Sequence, residues 1–269
     1  MSTVSHLPGT TLLTTPVTAV DAPAAAALVA QWAAGGAGRA VCAANVHMVM
    51  EAYDDASFTA TLEQADLVVC DGRPLVWAAR LLGVTGARQA RGLDLMLAVC
   101  EQAARQGLRV GLYGGAPAVT AEVRRELAAR LPRLEVSYCW SPPFRDLSAA
   151  EDDDACRAIV AARPQVLFVS LGCPKQERWM LAHRDRLPCV MLGVGAAFDM
   201  LTGRVGVAPP WMQRAGLEWV YRFFQEPRRL WRRYAHHNGR FVAFVLAQRL
   251  RAATGRTARR RGKGRAGAP

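Results

Sequence analysis

The stretch 165-QVLFVSLGCPKQERWMLAHRDRLPCVMLGVGAAFD-199 decides the fold. Residues 165–171 are an apolar run that stops at Gly172. Pro174 then opens a helical period reaching residue 186, placed at the first helical position, where no backbone donor is needed. Residues 189–193 form a second apolar run, followed by a Gly-Val-Gly turn. Two runs apolar on both faces and joined through a helix are the unit of a parallel sheet covered by helices. The unit recurs upstream. Strand-like runs at 39–44, 66–70, 108–113 and 134–138 alternate with helical periods at 46–64, 74–82, 93–106, 117–131 and 149–162. The pattern predicts an α/β fold over residues 1–207, a Rossmann-like, mainly parallel sheet with helices on both faces. A basic helical appendage follows at 208–253, and a disordered basic tail at 254–269.

The charge supports that division. The chain has 269 residues and a formal net charge of +12. From Val220 onward it carries fourteen Arg or Lys against one acid, Glu226, so the first 219 residues are nearly neutral. A basic segment of this size fits an anionic partner such as a phosphate-bearing substrate, an anionic membrane surface or nucleic acid. No recognised nucleic-acid module is present, so nucleic acid is not expected as a partner. No apolar run approaches the ~20 residues of a spanning helix, and the N-terminus lacks the pattern of a secretory signal. The seven cysteines show no paired spacing and read as buried thiols.

In open parallel sheets ligands bind beyond the carboxyl ends of the strands. That rule nominates Asn45, Asp71-Gly72, Gly114-Gly115, residues 172–177 and residues 193–199, including Gly172, Gly195 and Asp199. Asp71 at a strand mouth suits a general base, and a cap for the helix near Pro74 is the equal alternative. Only two lysines stand among thirty-two arginines, so Lys175 in Pro-Lys-Gln-Glu suggests a point charge for a phosphate, against a plain surface lysine. Ser148 and Glu151 form a capping box, a better reading of the 152–154 aspartates than a metal site. Gly-Val-Gly at 193–195 half matches a dinucleotide fingerprint but lacks the third glycine. The five histidines show no i, i+4 pair, so no metal set is read. There is no nucleophile elbow and no phosphate-binding P-loop. Leu230, Tyr234, Phe241 and Val245 fall on one helix face, with arginines 229, 233 and 240 beside it. That pattern reads as a membrane-surface helix broken at Asn238-Gly239, with an ordinary packed helix as the alternative.

Read together, Asp-Gly at 71–72, LYGG at 112–115, LGCPKQE at 171–177, GVGAAFD at 193–199, APPW at 208–211 and GLEWVYRFFQEPRRLWRRY at 216–234 resemble the WecG/TagA/CpsF glycosyltransferases, family 26. The resemblance runs in order through residues 41–234. It implies an inverting, metal-independent enzyme without cofactors, peripheral on the cytoplasmic face of the bacterial membrane. Such an enzyme moves a hexosyl or N-acetylmannosamine-type group from a UDP-sugar to a sugar on polyprenyl (undecaprenyl) diphosphate, in cell-surface polysaccharide or teichoic acid synthesis. The appendage helps to form the active site, and homo-oligomerisation is left open. By the resemblance Asp71 is the catalytic base. Asn45, Lys175, Gln176 and Glu177 belong to the donor site, joined by the glycine turns and Asp199. Arg222, Arg229, Arg232 and Arg233 serve the acceptor diphosphate and the membrane. Two positions depart from the pattern: Ala43 replaces the threonine of Thr-x-Asn, and Val207 replaces the arginine before Ala208-Pro209. A non-catalytic nucleotide-binding sensor and a nucleic-acid-binding protein acting through the tail are the alternatives.

Overall fold

The computed structural model describes the backbone of residues 7–265 and the side chains of residues 7–254, except those of 229 and 233. The elements in chain order are β1 (Gly9–Leu12), β2 (Thr15–Thr18), α1 (Ala22–Ala34), β3 (Arg39–Ala44), α2 (Val46–Asp54), α3 (Ala56–Glu63), β4 (Leu67–Cys70), α4 (Arg73–Leu81), α5 (Gly92–Gln106) and β5 (Arg109–Gly114). Then follow α6 (Pro117–Arg130), β6 (Glu135–Trp140), α7 (Ala149–Ala162), β7 (Val166–Ser170), α8 (Lys175–His183), β8 (Val190–Gly193), α9 (Ala197–Leu201), α10 (Pro210–Arg214), α11 (Glu218–Gln225) and α12 (Pro227–Arg265). One eight-stranded sheet has the order β1-β2-β4-β3-β8-β7-β5-β6. Every pairing is parallel except the β1–β2 hairpin at the edge.

The strand interiors are apolar on both faces because both faces are covered. On one side Val41, Val69, Leu112, Phe168 and Leu192 pack under α1, α5, α6 and α9. On the other, Cys42, Val68, Leu167, Val169 and Met191 pack under α2, α3, α4, α8 and the middle of α12. All seven cysteines are free and five are buried, as their apolar contexts predict. Burial pushes the Cys70 thiol up to about 12, so it is a packing group and not a nucleophile.

Several local expectations change. The hairpin and α1 carry little signal: the two strands are short and threonine-rich, and α1 is mostly alanine. The helical period at 46–64 divides at Asp55, whose carboxylate accepts the Ser57 and Phe58 amides and starts α3. Pro174 is the N-cap of α8, one residue before the helix. The Ser148–Glu151 capping box forms with both reciprocal bonds. The 152–154 aspartates work through Asp152, which accepts from His183 Nε2 at 2.7 Å and Trp179 Nε1 at 3.3 Å.

Asn238-Gly239 does not break α12, which runs through both residues. A glycine inside a helix costs about 1 kcal/mol, and the burial of His237 and Phe241 on either side outweighs it. The face expected to meet a membrane is instead packed on the domain, since Leu230, Phe241 and Val245 are buried. A stripe at that spacing is what any packed helix needs. Arg240, on the flank, donates to both Asp54 oxygens on α2 at 2.6 and 2.8 Å. A second stripe, Trp231, Val242, Leu246 and Leu250, is exposed. The tail expected at 254–269 falls almost wholly outside the described side chains. Among the described residues, no helix is long and apolar enough to cross a membrane.

Phe168 is fully buried at the centre of the sheet. Phe168→Ala should lower stability by about 3–5 kcal/mol, read as a reduced urea midpoint at an unchanged m-value.

Candidate active site

Where β3 lies parallel beside β8, the helix that follows β3 packs on one face of the sheet and the helix that follows β8 on the other. Loops leaving such a point diverge and open a crevice. A cavity of about 800 Å³ lies there, between the carboxyl ends of β4, β3, β8 and β7 and the appendage helices α11 and α12.

Asp71, directly after β4, stands in this cavity. Its Oδ1 accepts the Gly92 amide at 2.8 Å, at the start of α5. It does not cap α4, whose N-cap is Gly72. The residue is partly buried in the cavity wall, and desolvation pushes its pKa up to about 6. Glu218 of α11 raises it further, while the Gly92 amide, Arg222 and Arg91 pull it down. Glu218 is itself fixed: Gln89 Nε2 donates to it at 3.0 Å and to the Asp71 carbonyl at 2.7 Å, and Arg91 NH1 donates at 3.0 Å. The appendage is thus wired to the segment that holds Asp71.

Asn45 follows β3 and caps α2, its Oδ1 accepting the Met48 amide at 3.2 Å. Gln176 on α8 is buried, with Oε1 accepting the Gly195 amide at 3.2 Å and Nε2 donating to Glu177 at 2.7 Å. A Cβ at Gly193 would lie 2.9 Å from that Nε2, so only glycine lets the amide rest on the end of β8. Glu177 is wholly buried behind it, and burial raises its pKa to about 7. Gly216, at φ +71°, lets the turn before α11 lie against Trp77, where a Cβ would meet the ring at 2.3 Å.

Two arginines complete the cavity. Arg73 begins α4 and Arg222 lies on α11. The Nε of each is buried with no acceptor among the described residues. A buried guanidinium donor without a partner is costly, and a ligand with anionic oxygens would remove that cost.

The structure therefore brings Asn45, Asp71, Gly172, Gln176, Gly195 and Arg222 to one cavity. Ala43 and Val207, the two departures, line it as well. Gly114, Gly115, Lys175, Glu177, Asp199 and Arg232 are not in its wall. Gly114 and Gly115 end β5, two strands away from β8. Lys175 is exposed and pairs with Asp146 at 2.9 Å. Arg232 is exposed and lies over the Trp231 ring. The side chains of Arg229 and Arg233 lie outside the described residues. Sequence reasoning missed Arg73, Gln89, Arg91 and Glu218. Arg73 directly follows Asp71-Gly72, and Glu218 is the acid of the GLEW string, so adjacency to those motifs was the available signal.

A sequence profile of the glycosyl transferase WecG/TagA/CpsF family matches residues 10–255. A protein of Bacillus spizizenii named N-acetylglucosaminyldiphosphoundecaprenol N-acetyl-beta-D-mannosaminyltransferase is 31% identical over 197 residues, 73% of this chain and 74% of its own. A Bacillus subtilis protein of the same name is 27% identical over 197 residues, 73% of this chain and 75% of its own.

The raised pKa of Asp71 has a stability consequence with a definite sign. Between about pH 4 and 6 the folded chain binds this proton more tightly than the unfolded chain, so stability falls as pH rises through that window. Asp71→Asn should raise thermal stability at pH 7.5 by about 1–2 kcal/mol, with the difference vanishing near pH 4. Scanning calorimetry of both proteins at the two pH values checks it.

Proposed function

The chain belongs to the WecG/TagA/CpsF family of glycosyl transferases, and on that premise we propose that it moves a sugar from a UDP-sugar to a sugar held on a polyprenyl diphosphate. The observation that carries this reading is the desolvated carboxylate of Asp71 sharing one cavity with two arginine Nε groups that have no acceptor among the described residues. Asp71 takes the proton of the acceptor hydroxyl as its oxygen bonds to the anomeric carbon of the donor. The bond from that carbon to the UDP oxygen breaks, and the electron pair leaves with UDP. A single displacement of this kind inverts the anomeric centre.

The departing diphosphate needs fixed positive charge and donors. Arg73, Arg222 and the amide-rich starts of α2 and α4 supply them, so no divalent ion is required in the transfer step. Asn45, Gln176 and the Gly172 and Gly195 turns surround the donor. The two Bacillus relatives are named for mannosaminyl transfer to N-acetylglucosaminyl diphosphoundecaprenol, and that substrate class is the one assigned to this chain. Ala43, in the cavity wall, lacks the hydroxyl that the family pattern would place beside the donor.

A lipid-linked acceptor fits the far side of the cavity. There Trp77 and Leu81 of α4 face Val242 and Leu246 of α12, and all four are exposed. The stripe continues along α12 to Leu250, beside a strongly basic segment. An apolar strip flanked by arginines lies naturally on an anionic bilayer. On this reading the enzyme works as a peripheral protein on the cytoplasmic membrane face.

Purified protein given a panel of UDP-sugars should release UDP only when a short-chain polyprenyl-diphosphate-GlcNAc acceptor is present, and added magnesium should not change the rate. UDP binding without release for any pair would instead favour the sensor. Asp71→Asn should lower transfer by at least about 100-fold, with UDP affinity nearly unchanged. The triple variant Val242→Ser, Leu246→Ser, Leu250→Ser should keep its fold and lose most binding to anionic liposomes in a flotation assay.

A further inference from the structure

The contact between α12 and α2 contains a group of side chains that the transfer chemistry does not use. His47 and Glu51 stand one turn apart on α2, and His237 reaches them from α12. His47 Nδ1 and His237 Nε2 each lie 3.4 Å from Glu51 Oε1, and all three atoms lie within 4.8 Å of one another. A separation of 3.4 Å is long for a charge-assisted hydrogen bond. It is the spacing of ligands around an ion: a tetrahedron with bonds of about 2.1 Å has edges of about 3.4 Å. Two imidazoles and one carboxylate are a donor set for zinc and the neighbouring first-row divalent metals.

The placement of the ligands also fits: His237 is buried between α12 and α2 with its Nε2 turned to Glu51. Two other groupings are less suited. Asp54 with His236 and His237 is compromised because Arg240 donates to both Asp54 oxygens. Asp152, Cys156 and His183 are compromised because Asp152 already serves His183, Trp179 and Arg186, and burial pushes the Cys156 thiol up, away from thiolate.

We propose that His47, Glu51 and His237 bind one zinc-class divalent ion that clamps α12 onto α2. Three protein ligands leave a fourth position for water. His47 and His237 also border the active cavity, so the clamp would fix the wall that the appendage contributes to it. The inference rests on the ligand geometry alone and stands whether or not the transfer reaction is as described above. Spacing within the sequence could not reveal it, because the third ligand lies 186 residues beyond Glu51.

The test uses the full, untagged chain stripped with a chelator and titrated with zinc chloride. Native mass spectrometry and a competitive chromophoric chelator should report one zinc per chain with a dissociation constant below a micromolar, and melting should shift upward by several degrees. Glu51→Gln, at a part-exposed position where the amide preserves shape, should weaken binding at least tenfold and abolish the shift. His47→Gln should do the same, while Asp152→Asn should leave both readouts unchanged. The absence of stoichiometric zinc at micromolar concentration would overturn the proposal. Undiminished binding in Glu51→Gln and His47→Gln would overturn it equally, since the ion would then sit on other donors.

Discussion

A partly buried, desolvated carboxylate at the mouth of a parallel sheet is the constraint around which this molecule is organised. Asp71 cannot hold its raised pKa on the sheet alone, because the end of a strand is open to solvent. The closure comes from α11, whose Glu218 is gripped by Gln89 and Arg91 and whose Arg222 shares the cavity. Burial and Glu218 raise the pKa of Asp71, while the Gly92 amide, Arg222 and Arg91 limit the rise. A carboxylate poised near neutrality between those influences is suited to accept a proton. The appendage is therefore part of the site's electrostatics as well as its wall.

The sheet topology decides which loops can share that site. β4, β3, β8 and β7 are neighbours, and their carboxyl ends carry Asp71, Asn45, Gly195 and Gly172. The Gly114-Gly115 turn has the same local chemistry but ends a strand further along. Position in the strand order, not glycine content, separates the turns in the cavity from the one outside it. Gln176 shows how a buried side chain is aimed. Its amide is fixed between the Gly195 backbone and Glu177, and Gly193 leaves the room.

The parallel sheet was legible because its inner strands β3, β4, β5, β7 and β8 are apolar on both faces and each stops at or near a glycine or a cap. Asp71, Asn45 and Gln176 could be placed at strand ends by that reading alone. Lys175 could not be judged. Its rarity suggested a task, but α8 turns it outward to Asp146 while Gln176, one residue on, faces inward. Partners supplied from afar were equally hidden, as with Glu218 at 147 residues from Asp71. The α12 stripe was read correctly as amphipathic and assigned to the wrong neighbour. Helical periodicity states that a face is apolar and is silent on whether protein or lipid covers it. Here both occur, with Leu230, Phe241 and Val245 turned inward and Val242, Leu246 and Leu250 turned out.

The most direct test of the role given to Asp71 compares two titrations of one protein. The carboxyl signal of Asp71 is followed by carbon-13 NMR across pH, and the same preparation is assayed for transfer across the same range. If Asp71 is the base, the NMR midpoint falls at about 6, and kcat/KM rises with unit slope below that same value and then levels. An NMR midpoint near 4, or a rate profile indifferent to the ionisation of Asp71, would contradict it.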